Sequence, residues 1–390
     1  MSATLSSTIR SHLEARHEEM VEFLMELASF ETPSTDARTL APALDFMEGT
    51  LTDLGLRVRR IRGSKSGGHL LGIPPARSKG VPGQLLMGHL DTVWPTGTLQ
   101  TMPLVREDGK LRGPGVFDMK GGLTLMVFAL RTLRDLGLEP PATPVVLVNS
   151  DEEIGSPESK RVVRLVAKNV IRAFVLEPPL GLAGRLKTAR KGVGRFEVRV
   201  FGKAAHAGLD PDSGASAIVE MSYLIQKLHA LNDRDRGISV NVGTVDGGLR
   251  PNVVAPESVA QVDVRVQSMG DAREIEDAIR SLTPSIPGVR LEVNGGIGVP
   301  PLERTPRNRG LWRAARQAAS ELGMELEEAL AGGGSDGNTT SQYTATLDGM
   351  GPVGDGAHAV REHILLDSLV ERGALLTRML LWDLPESAPA

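Results

Sequence analysis

The sequence predicts an α/β fold in which a mostly parallel sheet is flanked by helices and a smaller α+β domain is inserted. Three observations lead to this prediction. Short apolar runs alternate with helical patterns in the first half of the chain, as in parallel sheets covered by helices on both faces. The pattern then changes to alternating strands in the order β-α-β-β-α-β. The length of 390 residues is enough for two hydrophobic cores.

Apolar residues at helical spacing predict two amphipathic helices at the start of the chain, one over residues 5–30 and one over 40–54. Three apolar runs then predict parallel strands, and a helical pattern lies between the first and the second of them. The strands are expected near 85–91, 145–151 and 173–179, and the helix at 122–136. Ligands of open α/β sheets bind beyond the carboxyl ends of the strands, so the residues after these runs are candidates for a site.

The inserted domain is predicted at residues 191–300, where the strand GRFEVRVFG begins a new pattern. Its other strands are expected at SVNVGTVDGG, VAQVDVRVQ and VRLEVNGG, and its helices at 213–231 and 271–282. This order suits a small antiparallel sheet with two helices on one face. Helical patterns resume at 310–322 and 365–381, around a short strand near Ala345. The catalytic domain is therefore predicted in two parts, 1–190 and 301–390.

Composition excludes several classes of protein. A formal net charge of -4 without basic clusters, and an aromatic content of 3%, argue against a nucleic-acid partner. The absence of cysteine removes disulfides, thiolate metal sites and cysteine nucleophiles. Charges interrupt the apolar residues at the N-terminus, and no segment has the apolar length of a membrane span. We therefore expect a cytoplasmic protein that does not bind membranes.

Histidines and carboxylates with metal-ligand chemistry follow the predicted strands or lie in glycine-rich loops. They are His89 and Asp91 in GHLDTV, Asp118 in GPGVFDMKGG, Glu152 and Glu153 in NSDEEIGS, Glu177 in VLEPP, and His358 in GDGAH. Five of them can hold two metal ions, which leaves carboxylates to orient a ligand and to activate water. This division of roles points to a hydrolase.

Each of these residues taken alone has a structural explanation. His89 can end a strand, Asp118 can cap a helix, and adjacent acids are common in surface turns. The set favours a metal site because a carboxylate can bridge two cations and a second glutamate can take a proton from water. In the HxD motif, a carboxylate commonly holds the other nitrogen of a metal-bound imidazole.

Two further motifs offer substrate contacts. His206 in GKAAHAG, and Arg250 and Asn252 in LRPNVV, can donate hydrogen bonds to a polarised carbonyl or a substrate carboxylate. A surface histidine and a hairpin turn are the structural alternatives. The loop GGGSDG, with Gly333, Gly334 and Ser335, matches a dinucleotide motif by letter but lacks its strand-to-helix context. Its backbone N–H groups suit an anion better.

Taken in order, these motifs resemble the di-zinc metallopeptidase family of glutamate carboxypeptidases, aminoacylases and deacylases, over residues 20–380. The resemblance rests on GHLDTVWPTGT, GPGVFDMKGG, NSDEEIGS, EPP, GKAAHAG, RPNVV, GGGSDGN and GAH. The segment DTVWPTGT is most similar to the bacterial glutamate carboxypeptidase branch. The resemblance implies a zinc-binding α/β domain, an inserted dimerisation domain and therefore a homodimer.

The resemblance also implies two zinc ions that share Asp118. It assigns His89 and Glu177 to one ion and Glu153 and His358 to the other. Cobalt or manganese are alternatives, since imidazole and carboxylate ligands accept all three metals.

Catalytic and substrate roles follow from the same resemblance. Asp91 would orient His89, and Glu152 would be the general base. His206 would reach the active site of the partner subunit and stabilise the tetrahedral oxyanion. Asn252 and the GGGSDG loop would hold the substrate.

The implied activity is hydrolysis of an amide or peptide bond next to a free carboxylate in a small peptide. Deacylation of an N-acyl amino acid is the alternative within the family. A non-catalytic binding protein would be expected to have lost some ligands or Glu152, and all are present. A nucleotide-dependent enzyme built on GGGSDG would bind nucleotide without metal.

One departure from the family concerns the substrate. Many glutamate carboxypeptidase-like members carry a basic residue before the Pro-Pro that closes the insert, and Val299 stands there in this chain. Arg250 or Arg304 can substitute as the carboxylate clamp. The sequence therefore predicts an amidase that is less selective for glutamate.

Overall fold

The structure is a computed structural model, and it describes residues 2–75 and 80–383. The chain divides into two compact units. Unit 1 comprises Met1–Thr188, Arg304–Leu330 and Ser335–Ala390, and unit 2 comprises Ala189–Glu303 and Ala331–Gly334. The predicted insert, 191–300, falls within unit 2, whereas Ala331–Gly334 is an additional segment that the sequence did not indicate.

The elements of the described chain are numbered in order. The helices are α1 (Ser2–Glu14), α2 (His17–Ser29), α3 (Ala41–Asp53), α4 (Thr98–Thr101), α5 (Gly121–Asp135), α6 (Lys160–Ala167), α7 (Ala217–His229), α8 (Met269–Arg280), α9 (Pro306–Glu321), α10 (Asp336–Thr340) and α11 (Asp367–Leu380). The strands are β1 (Arg57–Ile61), β2 (His69–Ile73), β3 (Gly83–His89), β4 (Val105–Glu107), β5 (Lys110–Arg112), β6 (Thr143–Asn149), β7 (Val170–Val175), β8 (Leu186–Arg190), β9 (Gly192–Phe201), β10 (Ser239–Gly247), β11 (Glu257–Val266), β12 (Arg290–Val299), β13 (Glu328–Ala331), β14 (Ala345–Leu347), β15 (Gly354–Asp355) and β16 (His363–Leu365).

The main sheet of unit 1 has the strand order β1-β2-β6-β3-β7-β14. Strands β6, β3, β7 and β14 run parallel, and β1 and β2 add an antiparallel edge. Every residue of β3 is buried, as expected for a parallel strand with helices on both faces. The predicted mostly parallel sheet is confirmed.

Short strands escaped the sequence analysis. β15, β16, β5 and β4 form a small antiparallel sheet, and β8 pairs with β13. Strands of two or three residues, such as β15 and β5, are too short to display the alternation of period two that marks a strand.

The predicted continuous helix over residues 5–30 is wrong, because the chain breaks between α1 and α2. Arg16 has φ -115° and ψ 13°, outside the helical range. Both pieces bury an apolar face, including Ile9 and Leu13 before the break and Met20 and Leu24 after it. The periodicity therefore identified the buried residues but not the interruption.

Helix α5 lies at the centre of the core of unit 1. It is buried from Gly121 to Leu130, and side chains such as Leu123 and Phe128 pack in the largest hydrophobic cluster. Burying one such side chain contributes about 1.5–3 kcal/mol relative to leaving it exposed. The helix starts immediately after the turn Val116–Lys120, which carries Asp118. Packing of α5 in the core therefore holds the backbone next to Asp118 in place.

Unit 2 has the predicted order β9-α7-β10-β11-α8-β12. Its antiparallel sheet has the strand order β10-β11-β9-β12. Alternate residues of β9, including Phe196 and Val198, point into a separate core. The Ser216 and Ser268 hydroxyls cap α7 and α8 by accepting the N–H groups of Val219 and Asp271.

Among the residues that the structure describes, no helix combines the length and the apolar character needed to cross a membrane.

Candidate metal centre

The carboxyl ends of three parallel strands bring the candidate ligands together. His89 is the last residue of β3 and is paired in register with Asn149, the last residue of β6. Glu152 begins a short turn just beyond β6, and Glu177 lies two residues beyond β7. Since β3 pairs with both β6 and β7, these segments emerge side by side at one sheet edge.

His89 faces several carboxylates through Nε2. That atom lies 3.3 Å from Asp118 Oδ1, 3.5 Å from Glu177 Oε1 and 4.0 Å from Glu152 Oε2. The other ring nitrogen, Nδ1, donates to the backbone oxygen of Asp91 at 2.9 Å. Because a carbonyl oxygen only accepts, Nδ1 carries the proton and the lone pair of a neutral ring is at Nε2. This is the tautomer that a metal ligand requires.

The carboxylate of Asp91 has a different set of contacts from its backbone oxygen. It lies 3.5 Å from His89 Nδ1 but accepts the N–H groups of Glu152 and Glu153 at 3.2 and 3.1 Å. The Ser34 hydroxyl donates to it at 2.7 Å. Asp91 thus orients His89 through its main chain and fixes the turn of the two glutamates through its side chain.

His358 faces the other side of Asp118. Its Nε2 lies 3.4 Å from Asp118 Oδ2 and 3.1 Å from Glu153 Oε2. The two oxygens of Asp118 therefore point to different imidazoles, His89 and His358. This is the arrangement of a carboxylate that bridges two cations.

Atoms that lack a hydrogen-bond partner show that these residues fit metal ions. Within the described residues, His89 Nε2 and Asp118 Oδ1 are buried and have no hydrogen-bond partner. Ligand atoms lie within 4.8 Å of one another in two triads, His89 with Glu152 and Glu177, and His89 with Asp118 and Glu153. Neither triad contains His358, but its short distances to Asp118 and Glu153 assign it to the same centre. Buried imidazole and carboxylate atoms without a hydrogen-bond partner fit the coordination of divalent cations.

Electrostatics support the same interpretation. Burial, and then the charge of Glu177, hold the pKa of Glu152 well above its usual range. Burial also raises the pKa of Glu153. Several carboxylates so close together repel one another unless a cation lies between them.

Three buried groups that the sequence analysis missed hold the loops of the centre. Glu362 accepts the backbone N–H of Asp118 at 3.1 Å, and burial raises its pKa to about 7. Asp336 accepts Asn149 Nδ2 at 2.7 Å and the Ser156 hydroxyl at 2.6 Å, and burial raises its pKa to about 6.

The third group is Lys120, which donates to the backbone oxygen of Phe30 at 2.7 Å. Burial lowers the pKa of Lys120 to about 7. Spacing in the sequence gave no signal for any of these three, because their partners lie far away along the chain.

His206 and Asn252 lie in adjacent segments of unit 2. The Ala207 N–H donates to the Asn252 backbone oxygen at 3.1 Å, and His206 is bridged to Val253. His206, Arg250 and Asn252 are all exposed. The structure therefore groups these candidate substrate contacts on the surface of unit 2.

The glycine-rich loop divides into two parts with different contacts. The backbone oxygens of Gly333 and Gly334 accept hydrogen bonds from Arg190 at 3.2 and 3.1 Å. The buried Ser335 hydroxyl donates to Asp348 at 2.6 Å and accepts the Gly337 N–H at 3.0 Å. The Ser335 side chain thus caps α10. The loop follows β13 and precedes α10, so the expected lack of a strand-to-helix context is wrong, although α10 spans only Asp336–Thr340.

The two positions that raised the question of a carboxylate clamp have distinct surroundings. Val299 is the last residue of β12. Arg304, a suggested substitute for a basic residue at that point, forms an ion pair with Glu328.

Comparison with known proteins identifies the class. The model of peptidase family M20/M25/M40 matches residues 85–382. Carboxypeptidase G2 of Pseudomonas sp. (strain RS-16) is 28% identical over 381 residues, which cover 94% of this chain and 89% of the relative. Acetylornithine deacetylase of Myxococcus xanthus is 26% identical over 371 residues, 91% of this chain and 95% of the relative.

Solved structures agree on the fold. Aminopeptidase PepT from Bacillus cereus superposes with a TM-score of 0.77 at 22% identity, covering 93% of this chain and 98% of that one. The Bacillus subtilis YXEP protein, a dinuclear metal-binding peptidase of the M20 family, has a TM-score of 0.68 at 15% identity, covering 94% and 98%. Fold and family together define a metal-dependent hydrolase. The chain belongs to peptidase family M20/M25/M40, which confirms the predicted resemblance and makes it a metallopeptidase or amidohydrolase.

Proposed function

We propose that the protein is a glutamate carboxypeptidase-like exopeptidase that cleaves an amide bond next to a free carboxylate. The observation that carries this proposal is Asp118, whose two oxygens face His89 at 3.3 Å and His358 at 3.4 Å. The 28% identity to carboxypeptidase G2 along 94% of the chain supports the substrate class.

Two metal ions, zinc with cobalt or manganese as alternatives, would be held by five side chains. His89, Asp118 and Glu177 would hold one ion, and Asp118, Glu153 and His358 the other. When bound, such ions make water more acidic and polarise the amide carbonyl. The Glu152 carboxylate then accepts a proton from the attacking water and delivers it to the nitrogen of the leaving amine.

Other residues support this chemistry without holding metal. Asp91 orients His89 and fixes the turn that carries Glu152. His206, acting in the active site of the partner subunit, stabilises the oxyanion of the tetrahedral intermediate. Arg250, Asn252 and the backbone N–H groups of Gly333 and Gly334 bind the substrate. Ser335, the third predicted contact of the loop, is engaged with Asn338 through both its backbone N–H and its backbone oxygen.

Deacylation of N-acyl amino acids is the second candidate. It is favoured by the similarity to acetylornithine deacetylase and by 28% identity to the succinyl-diaminopimelate desuccinylase of Verminephrobacter eiseniae over 304 residues, 72% of this chain and 74% of that relative. Val299, in place of a basic residue, also weakens selectivity for glutamate. If Val299→Arg leaves the preference for C-terminal glutamate unchanged, this account of selectivity fails.

A hydrolysis screen tests the proposal. The metal-reconstituted protein is offered dipeptides and N-acyl amino acids with C-terminal glutamate, other amino acids or a C-terminal amide, and the released amino acids are identified. The exopeptidase releases a C-terminal amino acid, acts poorly on amides and stops after chelation. Release only from N-acetyl or N-succinyl substrates assigns the deacylase instead, and hydrolysis that persists after metal removal excludes both.

A homodimer formed through unit 2 is part of the proposal. Its edge strand β10 and helix α7 expose apolar side chains, including Ile218 (46%), Tyr223 (44%) and Val245 (47%), with Leu249 (72%) just beyond β10. An exposed edge strand flanked by apolar residues is a ready surface for pairing with a second chain.

A further inference from the structure

Glu362 is a fully buried carboxylate in the segment between His358 and β16. Its Oε1 accepts the backbone N–H groups of Phe117 and Asp118 at 3.0 and 3.1 Å. Its Oε2 accepts the indole N–H of Trp94 at 2.9 Å. The exposed fraction of Glu362 is 0%, so these protein groups replace water around both oxygens.

Each donor belongs to a segment that carries part of the metal centre. Asp118 is the shared carboxylate, and Trp94 follows Asp91 by three residues in the loop beyond β3. Glu362 itself follows His358 by four residues. One carboxylate therefore joins the segments of His89, Asp118 and His358.

Burying the Glu362 carboxylate costs free energy of folding, so its presence suggests a role in positioning the neighbouring segments. No arginine, lysine or histidine lies within ion-pair distance of its carboxylate in the parts of the chain that the structure describes. The N–H donors and the charge of the buried Lys120, which interacts with Glu362, offset only part of its desolvation, since burial still raises the pKa of Glu362 to about 7. Apolar residues of similar volume are often at least as stable as buried charges. A stabilising role therefore explains this glutamate less well than a positioning role.

We infer that Glu362 is a positioning residue that sets the orientation of Asp118 between its two imidazoles and couples it to the Trp94 loop. This inference rests on the proposed function, since it takes Asp118 as the shared metal ligand. Partners that orient metal ligands typically change metal affinity or activity by about 10–100-fold when they are lost.

The substitution Glu362→Gln separates the two sets of contacts. A glutamine has one oxygen, so its NH₂ group must face either the Trp94 indole N–H or the backbone N–H groups of Phe117 and Asp118. Either orientation places donor against donor. In a Trp94→Phe background the indole donor is gone, and the glutamine oxygen is free to turn toward the backbone of Asp118.

The experiment measures zinc affinity of the full-length apoprotein by competition with a chromophoric chelator, beside the thermal midpoint. We expect E362Q to weaken zinc binding about 10–100-fold, and E362Q/W94F to bind more tightly than E362Q. The exposed Glu139→Gln serves as the matched control and keeps wild-type affinity. Wild-type affinity of E362Q, or equal or additive loss in the double variant, overturns the inference.

Asp118→Asn distinguishes this inference from the proposed function. If D118N loses zinc while E362Q keeps it, the metal site stands and Glu362 has no positioning role. If D118N retains both ions with wild-type affinity, the assignment of the centre itself fails. Should E362Q not fold, Glu362→Asp and W94F carry the test, and wild-type zinc affinity in both overturns the inference.

Discussion

Carboxylates of unit 1 that are buried or partly buried divide by the atoms that they contact. Asp118 faces imidazole nitrogens, and both of its imidazole distances are 3.4 Å or shorter. Asp91, Asp336 and Glu362 instead accept N–H or O–H groups from the loops around them. Carboxylates of the same type thus either face imidazoles, as the proposed metal ligand does, or hold the backbone, according to the groups that surround them.

Glu152 is the residue for which the proposed mechanism makes the sharpest prediction. Replacing it with alanine removes the proton acceptor but none of the five proposed ligands. We expect kcat to fall by about 10²–10⁴-fold, while the metal content measured by mass spectrometry remains two ions per chain. Turnover at the wild-type rate in Glu152→Ala would contradict its role as base, and Glu139→Gln controls for the loss of an acid elsewhere.

At the scale of elements, close approach of α5 to the end of β7 positions the centre. A Cβ atom added to Gly122, near the start of α5, would lie 2.0 Å from the backbone oxygen of Leu176. Leu176 immediately precedes Glu177, and α5 begins just after Asp118. The absence of a side chain at Gly122 therefore allows the segments of Asp118 and Glu177 to lie close together.

Gly122→Ala should accordingly damage both stability and metal binding. The added methyl group forces α5 away from Leu176, and such overpacking costs about 1–3 kcal/mol. Gly49→Ala is the matched control, because Gly49 lies within α3 and a Cβ there meets nothing within 4 Å. It should stabilise the protein by about 0.5–1 kcal/mol. Urea unfolding and zinc titration measure both effects, and equal behaviour of the two variants would disprove the packing argument.

Glu158 ties the loop before β2 to the turn that precedes α6. Its carboxylate accepts the backbone N–H groups of Ser64, Lys65 and Ser66, each at 3.0 Å, as well as the two serine hydroxyls. The hydrogen bonds from Ser64 and Ser66 lower the pKa of Glu158 from 4.5 to about 2. A carboxyl group with a depressed pKa stabilises the fold above its unfolded pKa, and this stabilisation disappears as the pH falls toward the folded value.

Glu158→Gln should therefore lower the free energy of unfolding most above pH 4.5, and the difference from wild type should shrink as the pH falls toward 2. Urea titrations at a series of pH values measure this difference. A gap that stays constant with pH would show that the charge of Glu158 has no part in holding the loop. The same urea series on Glu139→Gln is the matched control, because Glu139 is an exposed glutamate.

At the scale of the whole molecule, the proposed dimer depends on the apolar surface of unit 2. Leu249→Glu combined with Tyr223→Glu places charges on that surface, and we expect the protein to become monomeric. Leu165→Glu on α6 of unit 1 is the control, since Leu165 is 64% exposed but lies outside unit 2. Sedimentation velocity measures the oligomeric state, and a dimer that survives the double substitution would exclude this surface.

The activity of the same variants tests whether catalysis requires the dimer. If His206 acts in a partner's site, the monomeric double variant should lose kcat while it retains bound metal. A fully active monomer would remove that role from His206.

Much of the fold followed from local patterns. Strands β3, β6 and β7 are long enough to show their apolar runs, and the order of elements in unit 2 was evident from alternation. The break at Arg16 was not evident, because the apolar periodicity continues across it. The strands β5 and β15 were not evident either, because two or three residues cannot display an alternation. Glu362 and Asp336 escaped because the partners that bury them lie far away along the chain.

The sequence by itself determined the chemical types present at the strand ends: imidazoles, carboxylates and no thiols. Short-range patterns carry this information, because residue type and the end of a strand are both local properties. Only the tertiary structure decided which oxygen of Asp118 faces His89 and which faces His358. It also decided which acids accept backbone N–H groups instead. Several of these contacts join segments more than 200 residues apart, such as Glu362 with Asp118 and His358 with Glu153. Distances of this kind are fixed by the packing of the core rather than by spacing along the chain.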